Sequence, residues 1–200
     1  MRQRESMDYK GDIFYIEKIL SGEQNAFTCL VNRHKDHVYN LALRICGNSE
    51  DAEEVAQDAF VKAYRSLPQF KMKSSFATWL YRIAYNTSIS HVRQRKKVPL
   101  SLDDFPADMA DFVGINSNEE DAEEEYNSAL VNFALQKISE EERGIIGLYY
   151  FEELNTEEIA LITRISKSNV KVKLFRARQK MIEIIEKVKK KNLLYHEQFR

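Results

Sequence analysis

Glycine and proline are scarce in this chain of 200 residues, six and three respectively. That leaves little material for turn-rich or barrel architectures and favours helices. No apolar run approaches the roughly 20 residues needed to cross a bilayer, so no stable membrane insertion is expected. Behind Met1-Arg-Gln-Arg-Glu-Ser-Met-Asp8 there is no apolar segment of the secretory kind. Only two cysteines occur, Cys29 and Cys46, both in apolar-patterned helix. They read as reduced core residues of a cytoplasmic protein, not as a disulfide. Chemistry-bearing patterns are missing too. There is no phosphate loop or Gly-rich fingerprint and no Glu-x-x-His. His34, His37, His91 and His196 do not converge; His34 and His37 share a helical face and are expected to be surface polar residues without acidic partners. The reading is no catalysis, no metal and no cofactor.

Charge of one sign is absent over long stretches. From Ala59 to Leu102 there is no acid, but nine Lys/Arg interleaved with aromatics; from Val98 to Gln136 there is no base, but ten Asp/Glu between Asp103 and Glu125. The formal net charge of -1 hides this division. Without those ten acids, 30 Lys and Arg face 21 acids and the balance is +9. A positive surface carrying aromatic faces suits a nucleic acid, through counterion release and base stacking. The acidic stretch suits a basic groove on a partner.

Helical periodicity fills the first half. Asp12–Leu20 reads as a short amphipathic helix closed by Ser21-Gly22. Phe27, Leu30, Val31, Val38, Leu41, Ala42 and Ile45 then recur at helical spacing, predicting a long helix over about 23–46. Asn48 or Ser49 can cap the next helix, whose stripe is Val55, Ala59, Phe60, Ala63, Tyr64 and Leu67, and Pro68 ends it. A third helix is predicted over about 75–95, with Trp79, Leu80, Ile83 and Ile89. Residues 98–125 read as an extended acidic linker, and helices resume near Tyr126. The expected architecture is all-α: one small helical domain over 12–97, the linker, a second over 126–187, and an unassigned basic tail over 188–200.

The second half carries a helix-turn-helix pattern. Asn155-Thr-Glu-Glu-Ile-Ala-Leu-Ile-Thr163 reads as a short capped helix, Thr163-Arg164-Ile165 as the turn, and Ser166 as the cap of the following helix. There Val170, Leu174, Ala177 and Met181 share one face, leaving Ser168, Asn169, Lys171, Lys173 and Arg176 for the others. Seven Lys/Arg and no acid lie between Arg164 and Lys180. Such a helix fits a major groove, with its N-terminal residues at base edges and its flanks on phosphates.

Both halves together resemble the extracytoplasmic-function group of sigma factors of bacterial RNA polymerase. Asp51-Ala-Glu-Glu-Val-Ala-Gln-Asp-Ala-Phe-Val-Lys-Ala-Tyr64 is similar to that group's core-binding helix. Phe76-Ala-Thr-Trp-Leu-Tyr-Arg-Ile-Ala-Tyr-Asn86 is similar to its promoter-melting segment. Glu157-Glu-Ile-Ala160 and Ser166-Lys-Ser-Asn-Val-Lys-Val-Lys-Leu-Phe-Arg-Ala-Arg178 resemble its -35-reading module. Departures lie in the second half. Ile138-Ser139 replaces a usual Leu-Pro, Glu153 and Arg164 stand where glycines are frequent, and Val172 replaces a frequent serine.

The resemblance implies a division of labour. Asp51, Glu54, Gln57 and Asp58 would dock on the clamp of core RNA polymerase. Single-stranded -10 DNA would meet Phe70, Lys71, Lys73, Trp79, Arg82, Asn86, Arg93, Arg95 and Lys96. Phe70 and Asn86 would line a flipped-base pocket, beside further aromatics Phe76, Tyr81 and Tyr85. Double-stranded -35 DNA would meet Ser168, Asn169, Lys171, Lys173 and Arg176. The acidic linker would lie in a positive polymerase channel, and an anti-sigma factor is an expected partner. A helix-turn-helix regulator that does not bind core polymerase is the alternative.

Overall fold

The structure is a computed structural model that describes residues 2–95 and 119–198, with side chains over 11–95 and 125–191. Among the described residues there are helices and turns but no strand. The helices are α1 (Arg2–Leu20), α2 (Phe27–Cys46), α3 (Ser49–Ser66), α4 (Phe76–Arg95), α5 (Glu119–Lys137), α6 (Glu140–Tyr150), α7 (Thr156–Thr163) and α8 (Lys167–Gln198). Helix α1 extends well upstream of Asp12. The helix expected to resume near Tyr126 already begins at Glu119, a Glu-rich stretch whose residues are good helix formers. The basic tail continues α8.

Local chemistry sets the boundaries. Gly47, with φ of 86°, closes α2 and donates its N–H to the Leu43 carbonyl. The Asn48 side chain then accepts from the Asp51 N–H at 2.9 Å and starts α3. Pro68 lies in a 3-10 turn, Leu67–Gln69, that ends it. Reciprocal capping boxes open α6 (Ser139 with Glu142) and α7 (Asn155 with Glu158). Arg164 makes the helix-turn-helix turn at φ 58°, and Glu153 sits at φ 52°, so both positions where glycine is frequent are left-handed here.

Helices α2, α3 and α4 pack as a three-helix bundle crossed by α1, around Leu30, Leu41, Ile45, Ala59, Leu67 and Leu80. Helices α5 to α8 form the second bundle around Leu130, Ile145, Leu148, Ile159, Ile162 and Val170. The two bundles also touch. Helix α6 lies on α2, α7 lies on α4, and the buried residues of both halves join into one apolar cluster.

The histidines depart from expectation. His34 is buried with Nε2 3.0 Å from Asp12 Oδ2, and His37 Nδ1 lies 2.7 Å from Glu152 Oε2. Both acids are remote in sequence, in α1 and after α6, so helical spacing gives no sign of them. Cys29 and Cys46 are free and half-buried; burial pushes the Cys46 thiol up to about 11.

Candidate nucleic-acid interface

The acidic face of α3 is open at Glu54, Gln57 and Asp58. Asp58 pairs with Lys62 one turn on, at 3.7 Å, with both side chains more than half exposed. Such a pair holds little energy and leaves the carboxylate available. Asp51, expected in the same set, turns inward. It is buried, pairs with Arg95, lies 3.1 Å from His91 Nε2, and accepts from Asn48 Nδ2 at 2.8 Å. The reason is periodicity, because Asp51 shares its helical row with Val55 and Ala59. Asp51, Glu54 and His91 bring one ligand atom each within 4.8 Å of one another. The guanidinium of Arg95 already supplies positive charge to the Asp51 carboxylate there.

In and before α4 the aromatics divide. Phe70, expected to line a flipped-base pocket, packs on Trp79 (centroids 5.0 Å) and on Phe76 (6.0 Å). Phe76 is core, with His34 edge-on at 5.4 Å. Phe70 and Trp79 are half-buried, and Lys71 and Lys73, which follow Phe70 in the chain, are exposed. Asn86 is exposed and its amide donates to the Arg82 carbonyl at 2.7 Å, which leaves its own carbonyl oxygen to accept. Arg82 is half-buried one turn earlier. Tyr81 and Tyr85 are not platforms for bases. Both are buried against the second bundle, and burial, then the nearby Glu152 carboxylate, pushes the Tyr81 phenol far above its ordinary range. Arg93 and Arg95 are exposed at the end of α4, paired to Glu141 (2.6 Å) and Asp51 respectively. Lys96 and most of the acidic linker lie outside the described residues.

Helix α8 presents the opposite balance. Val170, Leu174 and Ala177 are buried as the stripe predicts, and Met181 is half-buried. Ser168, Asn169, Lys171 and Arg176 are exposed. Ser166 accepts from the Asn169 N–H at 3.3 Å, capping the helix. Lys173 differs, being half-buried with Nζ donating to Glu141 at 3.0 Å. Glu141 therefore pairs with one cation from each half of the chain, Arg93 of α4 and Lys173 of α8.

Two apolar residues stand out on this face, Val172, already noted in place of a frequent serine, and Phe175, which the sequence reading missed. Phe175 is 61% exposed and Val172 44%. Apolar side chains on a groove-facing helix can contact the thymine methyl group. The signal was present, since neither falls on the Val170–Met181 stripe.

Residues 30–98 match the family described as Sigma-70 region 2, and residues 129–181 match Sigma-70, region 4. The chain is 34% identical over 170 residues to the RNA polymerase sigma-H factor of Pseudomonas aeruginosa, covering 82% of this chain and 88% of that one. It is 33% identical over 174 residues to the ECF sigma factor SigW of Bacillus subtilis, covering 82% and 91%. For the ECF sigma-E factor of Escherichia coli the figures are 35% over 174 residues, 84% and 91%. Among solved structures, CnrH in complex with the cytosolic domain of CnrY superposes with a TM-score of 0.63 at 24% identity, covering 86% of this chain and 96% of that one. The sigma factor RpoE of Bartonella quintana, in complex with the anti-sigma factor NepR, gives 0.59 at 20%, covering 80% and 96%. These two share the fold. The two regions in order and the relatives matched over most of their length place the chain: it belongs to the extracytoplasmic-function group of the sigma-70 family of bacterial RNA polymerase sigma factors.

Proposed function

We propose that this sigma factor docks on core RNA polymerase through Glu54, Gln57 and Asp58, while Asp51 supports that face by anchoring Arg95. The observation that carries the reading is an open acidic face on the helix matching the family's core-binding segment. Acids suit a basic partner surface, and only the first turn of α3 is explained by the helix dipole; Asp58 lies beyond it. The first unit, 12–97, opens the promoter. Extruding a base costs a few kcal/mol, and stacking on an aromatic returns about 1–3 kcal/mol. The half-buried Phe70 and Trp79 supply the platform, Asn86 the edge contact, and Lys71, Lys73, Arg82, Arg93, Arg95 and Lys96 the phosphate contacts. The unit over 126–187 reads the -35 duplex with Ser168, Asn169, Lys171, Val172, Phe175 and Arg176. The acidic linker, which ends at the start of α5 at Glu119, lies in a positive channel of the polymerase.

The chain performs no catalysis of its own, needs no cofactor and works in the cytoplasm. No helix among the described residues is long and apolar enough to cross a membrane. An anti-sigma partner is proposed because a structural neighbour, the Bartonella quintana sigma factor, is solved with one. The test is binding to sigma-free core polymerase, wild type beside Gln57→Ala/Asp58→Lys. Tight binding that the double variant loses supports the docking face. Tight binding that it keeps places docking elsewhere, and no binding by folded wild type favours the regulator that works without core.

A further inference from the structure

Helix α6 approaches the first bundle through its two glycines. A Cβ at Gly144 would meet Tyr85 Cε2 at 2.5 Å, and one at Gly147 would meet Arg44 Cδ at 3.3 Å. Beside this contact lies a cavity of about 370 Å³, lined from α2, α5, α6 and Phe151. That volume falls in the range of small-molecule sites, roughly 300–1,000 Å³. Two arginines from facing helices converge on it, Arg44 of α2 and Arg143 of α6. Arg143 reaches across to α2, where a Cβ at Gly47 would meet its Nη1 at 3.2 Å. Arg44 passes Gly147, one turn beyond Arg143, and its guanidinium lies 3.6 Å from the centre of the Phe151 ring.

Neither cation has an anion of its own. Among the described residues no carboxylate forms an ion pair with either guanidinium. Glu152, the acid that acts on Arg44, is already engaged by the Tyr81 hydroxyl and His37. Arg143 is only 9% exposed, and its Nε is buried without a hydrogen-bond partner. Burial outweighs the nearby acids and lowers the pKa of both guanidinium groups from the ordinary value. A buried charge without a partner is costly. The C-terminal dipole of α2 favours both cations, but it leaves Arg143 Nε without an acceptor. The remaining walls suit an organic body. Leu43 and Leu135 are apolar, and the exposed amides of Asn40, Asn132 and Gln136 offer donors and acceptors at the rim.

We propose that this cavity binds a small phosphorylated metabolite of about nucleotide size, with its phosphate on Arg44 and Arg143 and its body against Leu43 and Leu135. One guanidinium fork satisfies a carboxylate, whereas a phosphate has oxygens enough for two. The site uses none of the residues assigned to core docking or DNA contact. The chain is then itself a receptor for a metabolite, and the ligand stabilises it by mass action.

The test is calorimetric titration of the full chain at constant ionic strength with inorganic phosphate, adenosine and guanosine monophosphates, and citrate. Saturable binding at a single site is expected, tighter for a nucleoside monophosphate than for inorganic phosphate and weakest for citrate. Arg143→Gln and Gln136→Glu should each weaken it about tenfold or more, the loss of one charge-assisted contact. Gln136 is exposed, so its replacement sets a repelling carboxylate at the rim and spares the core should Arg143→Gln fail to fold. Lys171→Ala and Arg176→Ala, on the basic face of α8, should leave affinity unchanged. Absence of saturable binding by any phosphate probe, or binding that Gln136→Glu retains in full, overturns the proposal. Binding lost in the α8 variants assigns the anion to the basic face instead. Citrate held as tightly as the nucleotides removes the assignment to phosphate.

Discussion

Helices α4 and α8 both face DNA in this account, yet they are built in opposite ways. In α4 the aromatics point inward. Phe76, Tyr81 and Tyr85 are buried, Trp79 and Arg82 are half-buried, and Asn86, Ser90 and the basic end are exposed. In α8 the apolar residues needed for packing occupy one narrow stripe, and cations together with Phe175 stand outside. The difference is instructive. A groove-reading helix can be a surface element held by one side. A melting segment must remain rigid while a base is pulled from the stack, so its aromatics serve first as core and are open only in part, at Phe70 and Trp79.

The contrast can be broken or sharpened by substitution. The largest effect is expected at the centre of α4. Leu80→Ala should cost about 2–5 kcal/mol of stability, as a buried leucine does, whereas Val172→Ala on α8 should stay within about 0.5 kcal/mol; urea unfolding compares them. Next come the DNA contacts. Phe70→Ala should lose about 1–3 kcal/mol of single-strand binding if it stacks on a base. Arg176→Ala should cost a similar amount on duplex, and Lys171→Ala should lower the salt slope by about 1; fluorescence titrations at several salt concentrations separate them. Smaller still is the left-handed position before α7. Glu153→Gly should stabilise the chain by up to about 1 kcal/mol, because glycine accepts φ of 52° without the Cβ clash.

The smallest effect is one of pH. Burial pushes the Glu142 carboxyl up, but hydrogen bonds from Lys180 and Ser139 outweigh it and hold it below the ordinary carboxylate range. A depressed native pKa gives stability that is present above about pH 4.3 and lost as pH falls below it. Thermal melts between about pH 3 and 6 should therefore show a shallower acid limb in Glu142→Gln than in wild type.

Much of this was legible in the sequence, for reasons that follow from period and end chemistry. The Val170–Met181 stripe, the Asn48 and Asn155 caps and the turn at Arg164 depend on residues close along the chain. The rest depends on partners distant in sequence. Asp51 looked like its acidic neighbours, and only its place in the Val55 row marks it as inward. His34 and His37 find Asp12 and Glu152 only after folding. Gly144 and Gly147 are unremarkable until α2 and α4 are laid against them. Phe175 was readable by elimination from the buried stripe.

The most direct test of the central claim is initiation itself. Sigma-free core polymerase with and without the purified chain would be given a pool of genomic DNA fragments, and transcript 5′ ends would be mapped. The account predicts discrete start sites that appear only with the chain, share upstream -10 and -35 sequences, and vanish with Gln57→Ala/Asp58→Lys. Scattered ends unchanged by adding folded chain would contradict it.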